Sequence, residues 1–273
     1  MIGIALVVAL AAGLGAGYLL WGWPTNWYAR DVTNLPASPE NDVIRYGHSL
    51  IVDTAKHIGK AASDPQKRYA GNDLACVNCH LGAGLRPFAA PFVSTFATFP
   101  MLVDDQVITL KERINGCMLR SMNGKDLPKD GPEMEALIAY IKFLGQGTPE
   151  GVRIAGMGLF PLRDPPLAAD SGWGEKVYAA SCASCHEDDG RGERNKPPRL
   201  GYSIPPLWDD DSFNAAAGMA KLAYAAAYIR ANMPFGVRYL DPVLSEQQAW
   251  NVAAFMISKP RPPAPAGAGS ELR

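Results

Sequence analysis

The sequence predicts an all-α chain in which one small helical unit occurs twice in tandem, joined by a linker and preceded by a single apolar helix. Three observations predict it. A Cys-x-x-Cys-His pentapeptide occurs twice, as Cys76-Val77-Asn78-Cys79-His80 and as Cys182-Ala183-Ser184-Cys185-His186. Each lies downstream of an amphipathic helix start of one form, Tyr46-Gly47-His48-Ser49-Leu50-Ile51 and Trp173-Gly174-Glu175-Lys176-Val177-Tyr178. Each copy then closes on a second helical pattern, at 133–144 with Ala139-Tyr140-Ile141 and at 246–258 with Ala254-Phe255-Met256.

The apolar helix comes first in the chain. The first 29 residues carry no charged side chain, and 2–23 is an apolar run long enough to cross a bilayer. Trp21, Trp23, Trp27 and Tyr28 follow it as an interfacial aromatic belt would. A cleaved signal peptide would start with a basic stretch and end at a small-x-small site before polar sequence, and neither is clear here. Residues 1–29 are therefore read as an uncleaved anchor in a bacterial inner membrane, with the remainder in the periplasm.

A polar, Pro-containing tether covers 30–40, and the first unit covers 41–145. In the second copy the first Cys comes eight residues after the Gly, and in the first copy 29. The first unit thus holds an insertion of about twenty residues near 64–73. Residues 146–171, rich in Gly and Pro without helical periodicity, read as a linker to the second unit at 172–260. The remainder, 261–273, has too few apolar residues to pack and reads as a disordered tail. Neither linker nor tail is expected to carry chemistry.

The pentapeptide spacing has a chemical reason. Two thiols three residues apart on a turn form thioethers to the vinyl groups of one porphyrin, and the next residue brings an imidazole under the iron. A zinc site or a dithiol redox pair would need no trailing His, and no further Cys pair or His cluster completes a tetrahedral site. The chain is thus expected to bind two covalent haem c groups through Cys76, Cys79, Cys182 and Cys185, with His80 and His186 as metal ligands. Two helices packed across a haem with a ligand loop between them is the plan of a class I cytochrome c, here in tandem. Haem attachment of this kind places the chain outside the cytoplasm. The net charge of −1 offers no basic surface for nucleic acid.

Each iron needs a ligand on its other face. In the second unit Asn232-Met233-Pro234 precedes the terminal helix, where a thioether suits the iron, and Met233 is assigned there. Met219 and Met256 are its rivals, but both fall in apolar helical pattern. In the first unit the matching place holds Ile114-Asn115-Gly116-Cys117, which puts a thiol where the thioether should be. Met118 and Met122 are the alternatives. Arg113, Cys117 and Ser121 are spaced i, i+4, i+8 and share one helical face, where the guanidinium favours a thiolate. His48 and His57 read as surface residues.

These residues also carry a resemblance. Leu74-Ala75-Cys76, Cys79-His80-Leu81, the 87–91 segment, Arg113-Ile114-Asn115-Gly116-Cys117 and Arg120-Ser121-Met122-Asn123-Gly124-Lys125 belong to it, as do Pro206-Leu207-Trp208, Ser212-Phe213-Asn214, Gly218-Met219 and Asn232-Met233-Pro234. Together, over about 45–262, they resemble the dihaem thiosulfate dehydrogenase family. The resemblance implies an active site at the first haem with His80/Cys117 ligation, and an electron exit at the second with His186/Met233. It implies that Arg113 and Ser121 lie near the substrate. The implied substrate pair is thiosulfate and tetrathionate, and the implied partner is a redox cytochrome or a membrane-bound oxidase or reductase.

The sequence departs from that family twice. Members commonly carry another Arg between the Phe-Pro and the Thr-Leu, but here 101–108 holds Asp104 and Asp105 and no basic residue. Arg86 is the candidate substitute. The anchor is also atypical of a soluble family and points to a membrane-proximal acceptor. Two functions follow as expectations: a thiosulfate-oxidising enzyme, or a non-catalytic, membrane-tethered dihaem electron carrier.

Overall fold

The computed structural model describes residues 30–265 except 104, 153 and 166. The expected anchor over 1–29 lies outside the described residues, as do residues 266–273 of the tail. Among the described residues no helix is long and apolar enough to cross a membrane.

The first unit is built on α1 (Pro39–Val52), a hairpin of β1 (Met101–Val103) and β2 (Gln106–Ile108), α2 (Leu110–Arg120) and α3 (Pro132–Leu144). The second has α4 (Ser171–Ser181), a hairpin of β3 (Glu193–Arg194) and β4 (Tyr202–Ile204), α5 (Leu222–Asn232) and α6 (Glu246–Ser258). Helix starts follow local chemistry. Ser38 accepts the Asn41 N–H, and the Thr109/Glu112 and Ser245/Gln248 pairs form reciprocal capping boxes.

The repeat has a packing cause. α1 crosses α3, and α4 crosses α6 in the same way. A Cβ on Gly47 would overlap the Ala136 carbonyl oxygen, and one on Gly174 the Asn251 carbonyl oxygen. One glycine per copy therefore lets two helix backbones touch. Leu50, Met134, Tyr140 and Leu144 pack the first core. Tyr178, Trp208, Trp250, Phe255 and Met256 pack the second.

The structure corrects the sequence reading at four places. The chain is mainly rather than wholly helical, because two short antiparallel hairpins are present. In the first, Met101, Leu102 and Val103 pair with Ile108, Val107 and Gln106, and the left-handed Asp105 (φ +63°) makes the turn. Strands this short leave no periodicity to read. The linker is docked: Phe88 and Ala90 donate backbone hydrogen bonds to Gly156 and Gly158 at 2.7 and 3.0 Å, and Ile154 is buried. The start of the tail is docked too, since Asp209 and Ala215 donate to the Pro260 and Pro262 carbonyls and Arg261 lies over the Phe213 ring. His48 is half-buried, edge-on to Tyr140 at 5.4 Å, and His57 packs on Tyr46.

The two units share a polar seam. Asn72, Ser212, Asn214 and Asn232 are all buried in it. Asn214 donates from its backbone to Arg120 O and from Nδ2 to Leu119 O, while Asn72 donates to Ser121 O. Two carbonyls left unpaired at the end of α2, those of Leu119 and Arg120, are thus satisfied from the second unit. On the other side, Tyr228 of α5 donates to Cys79 O at 2.8 Å.

Candidate active site

The attachment peptides are held from both flanks. Buried Thr54 accepts the Cys76 N–H at 3.0 Å and donates to Leu50 O, while Asn78 Oδ1 accepts the Ala75 N–H. The turn ends on His80, whose Nδ1 lies 2.6 Å from Ala90 O. In the second unit His186 Nδ1 lies 3.0 Å from Pro205 O. A carbonyl can only accept, so each Nδ1 carries the proton and Nε2 is the nitrogen left to bind a metal. Burial pushes the Cys76 thiol up to about 11, Cys79 to about 12 and Cys182 to about 11. Such apolar surroundings suit uncharged thioethers.

Cys117 behaves in the opposite way. It lies on α2 and, with His80, Arg113, Arg120, Phe92 and Met157, lines a cavity of about 280 Å³. Burial raises its thiol, but the groups that face it, His80 first and then Arg113 and Arg120, outweigh that and bring it to about 7. An imidazole with its Nδ1 proton committed, facing the cavity that holds a sulfur moved toward thiolate, is a donor set that fits haem iron. Two adjacent thiols in the same turn fit the porphyrin edge.

The predicted residues come together in part. His80, Arg113 and Cys117 meet in the cavity. Ser121 closes α2 one turn beyond, with its N–H on Cys117 O at 2.8 Å, and it is not among the lining residues. Met118 and Met122 belong to the core and do not line the cavity. In the second unit Met256 is core, whereas Met233 and Met219 are half-buried. Both pack against the core cluster of Trp208, Phe213 and Phe255, as Cys182 and Leu207 do, and against the cluster of Leu81, Ala89 and Tyr228.

Arg86 does not replace the missing arginine. Its Nε donates to Asn232 Oδ1 at 3.1 Å, its Nη2 to Val237 O, and it lies over the Phe235 ring, all in the second unit. Three contacts across the seam hold it away from the cavity. Arg120 and Met157, by contrast, line the cavity without having been singled out. Arg120 stands three residues after Cys117, a helical spacing that places it beside the thiol. Met157 arrives on the docked linker, and no local signal announces it. Asp104 lies outside the described residues, and Asp105 is exposed at the hairpin turn.

The two helical units match two family models, "SoxA/TsdA, cytochrome c domain" over residues 65–149 and "Cytochrome c" over 173–259. With the paired attachment peptides they define a tandem c-type cytochrome with two covalently bound haem c groups. Over 256 residues the chain is 36% identical to the thiosulfate dehydrogenase of Stutzerimonas stutzeri, covering 93% of this chain and 77% of that one. Over 203 residues it is 41% identical to that of Allochromatium vinosum, covering 71% and 72%. The chain belongs to the thiosulfate dehydrogenase family. A solved thiosulfate dehydrogenase (TsdBA) from Marichromatium purpuratum superposes with a TM-score of 0.74 at 32% identity, over 88% of this chain and 51% of that one.

Proposed function

We propose that the chain oxidises thiosulfate to tetrathionate in the cavity shared by His80, Arg113 and Cys117. Two thiosulfate dianions lose one electron each and their outer sulfurs join, giving one tetrathionate dianion and two electrons with no proton exchanged. The observation that carries the reading is Cys117, whose thiol shares one cavity with His80, Arg113 and Arg120. The relatives' names support it. Cys76, Cys79, His80 and Cys117 would hold the first haem, which would supply a one-electron acceptor at that place.

The chain's own residues do the rest. Arg113 receives sulfonate oxygens, for which a guanidinium offers paired donors. Cys117 presents its sulfur to the substrate's outer sulfur, and Ser121, one turn further on, adds a neutral donor at the edge. Phe92, Phe99, Ile114 and Met157 keep water from the reacting sulfurs. His186 and Met233 would hold the second haem, which would supply the electron exit toward a redox cytochrome or a membrane-bound oxidase or reductase. Residues 1–29 anchor the chain in the inner membrane with both haem domains in the periplasm. Retention through high-salt washing and release by detergent test that anchor, and recovery in the salt wash contradicts it.

A membrane-tethered electron carrier is the second reading. It is favoured by the hairpin, which gives the cavity Met101, Val103 and Ile108 where family members carry a cation. Steady-state assay with thiosulfate as sole donor and an artificial acceptor separates the two. Sustained acceptor reduction supports the enzyme, and its absence in protein with both haems attached leaves the carrier.

A further inference from the structure

The hairpin leaves the cavity one cation short, and the structure holds another. Arg120 is only 7% exposed, yet no acceptor or carboxylate among the described residues reaches its guanidinium. A guanidinium carries five N–H donors and a charge, and one turned toward a cavity suits an anion held there. Its direction is fixed by Gly116. A Cβ there would overlap Arg120 Nη2, so the side chain folds back along α2 over the bare glycine. Arg120 thus lies beside the turn that carries Cys117, and Arg113 lies one turn to the other side. Two guanidiniums bracket one thiol within a single cavity.

We infer that Arg120 is the second anion-binding residue of the cavity, holding the sulfonate end of one thiosulfate while Arg113 holds that of the other. This rests on the proposed reaction, in which two dianions must meet sulfur to sulfur. One cation per sulfonate screens the repulsion between them. The paired charges also match tetrathionate, which has one sulfonate at each end. Arg120 takes the place of the hairpin cation, from the helix that bears the thiol.

The test is equilibrium titration of the oxidised, fully haem-loaded protein with tetrathionate, which ferric haem cannot oxidise further. Loss of one charge-assisted contact in Arg120→Gln should raise the Kd about tenfold or more. Arg120→Lys should recover part of it. Gly116→Ala, which keeps the charge and displaces the guanidinium, should also raise the Kd. The midpoint potential of the first haem should fall in Arg120→Gln, where a positive charge beside Cys117 is lost, and stay near the parent value in Arg120→Lys. A Kd within twofold of the parent's in Arg120→Gln overturns the inference, as does an altered potential of the first haem with unaltered Kd, which would make the partner a haem carboxylate. Arg120-dependent binding in a protein without thiosulfate turnover would uphold the inference and refute the enzyme reading instead.

Discussion

Arg86→Ala separates two roles for one residue. In the structure Arg86 belongs to the seam, where it brackets the Met233–Val237 turn through Asn232 Oδ1, the Val237 carbonyl and the Phe235 ring. Asn232 is fully buried, and its Nδ2 is already committed to Phe88 O and Tyr228 O. Removing the guanidinium leaves Oδ1 without its donor, a loss of about 1–3 kcal/mol for a buried acceptor. Arg86 is half-exposed, so its own charged hydrogen bonds are discounted and about 2 kcal/mol is the whole effect. That is roughly a thirtyfold rise in the opening of the turn that carries Met233. With Met233 as the proposed ligand of the second haem, imidazole should enter only while Met233 is away from the iron, and its apparent affinity should report that opening. Half-loss of the thioether-to-iron band in the near infrared should then need about thirtyfold less imidazole. The KM for thiosulfate should not change. A tenfold rise in KM with unchanged imidazole affinity would refute the reasoning and return Arg86 to the substrate.

Two further predictions concern the scaffold. Gly47→Val drives a side chain into the Ala136 carbonyl, and Gly174→Val does so at Asn251, so each should cost about 2–3 kcal/mol and lower Tm by roughly 5–10 °C. Melts superimposable on the parent's would contradict the crossing as described. Burial raises the Glu133 carboxyl, but Lys67 at 2.7 Å and the Tyr46 hydroxyl hold it below the usual carboxylate range. Its contribution is therefore full above the unfolded carboxylate pKa and lost as pH falls through the lower folded value. Urea midpoints across about pH 3 to 7 should fall on the acid side, and less so in Lys67→Met, where the Tyr46 hydroxyl remains but no ammonium offsets the burial of Glu133. An identical pH dependence in the two proteins would refute the pairing.

The parts of the molecule that could be read from sequence are those fixed by local spacing. Gly47 and Gly174 revealed the repeat because a backbone-to-backbone crossing tolerates no Cβ, and that demand falls on one residue type. The attachment peptides were legible because thioether geometry sets Cys and His positions within a single turn. Cys117 was found by aligning the copies, and its helix carried Arg113 with it. What stayed hidden depends on contacts distant in sequence. Arg86 is claimed by Asn232 and Val237 across the seam, and nothing near residue 86 tells of that. Met157 reaches the cavity because a Gly-rich linker offers its carbonyls to Phe88 and Ala90. Arg120 was legible in principle, three residues from Cys117 and four from Gly116. Its side chain is buried in the folded first unit and its backbone carbonyl is taken by Asn214 of the second, so the sequence showed the charge and not its surroundings.

Thiosulfate turnover by Cys117→Met tests the central claim most directly, provided that mass spectrometry first shows both haems attached. Methionine keeps a sulfur at the proposed ligand position, so the fold and haem content should persist. It cannot become a thiolate, and Arg113 and Arg120 then flank a neutral thioether. The account predicts a loss of about a hundredfold or more in kcat, with the second haem's spectrum unchanged. Turnover at the parent rate in Cys117→Met would contradict it.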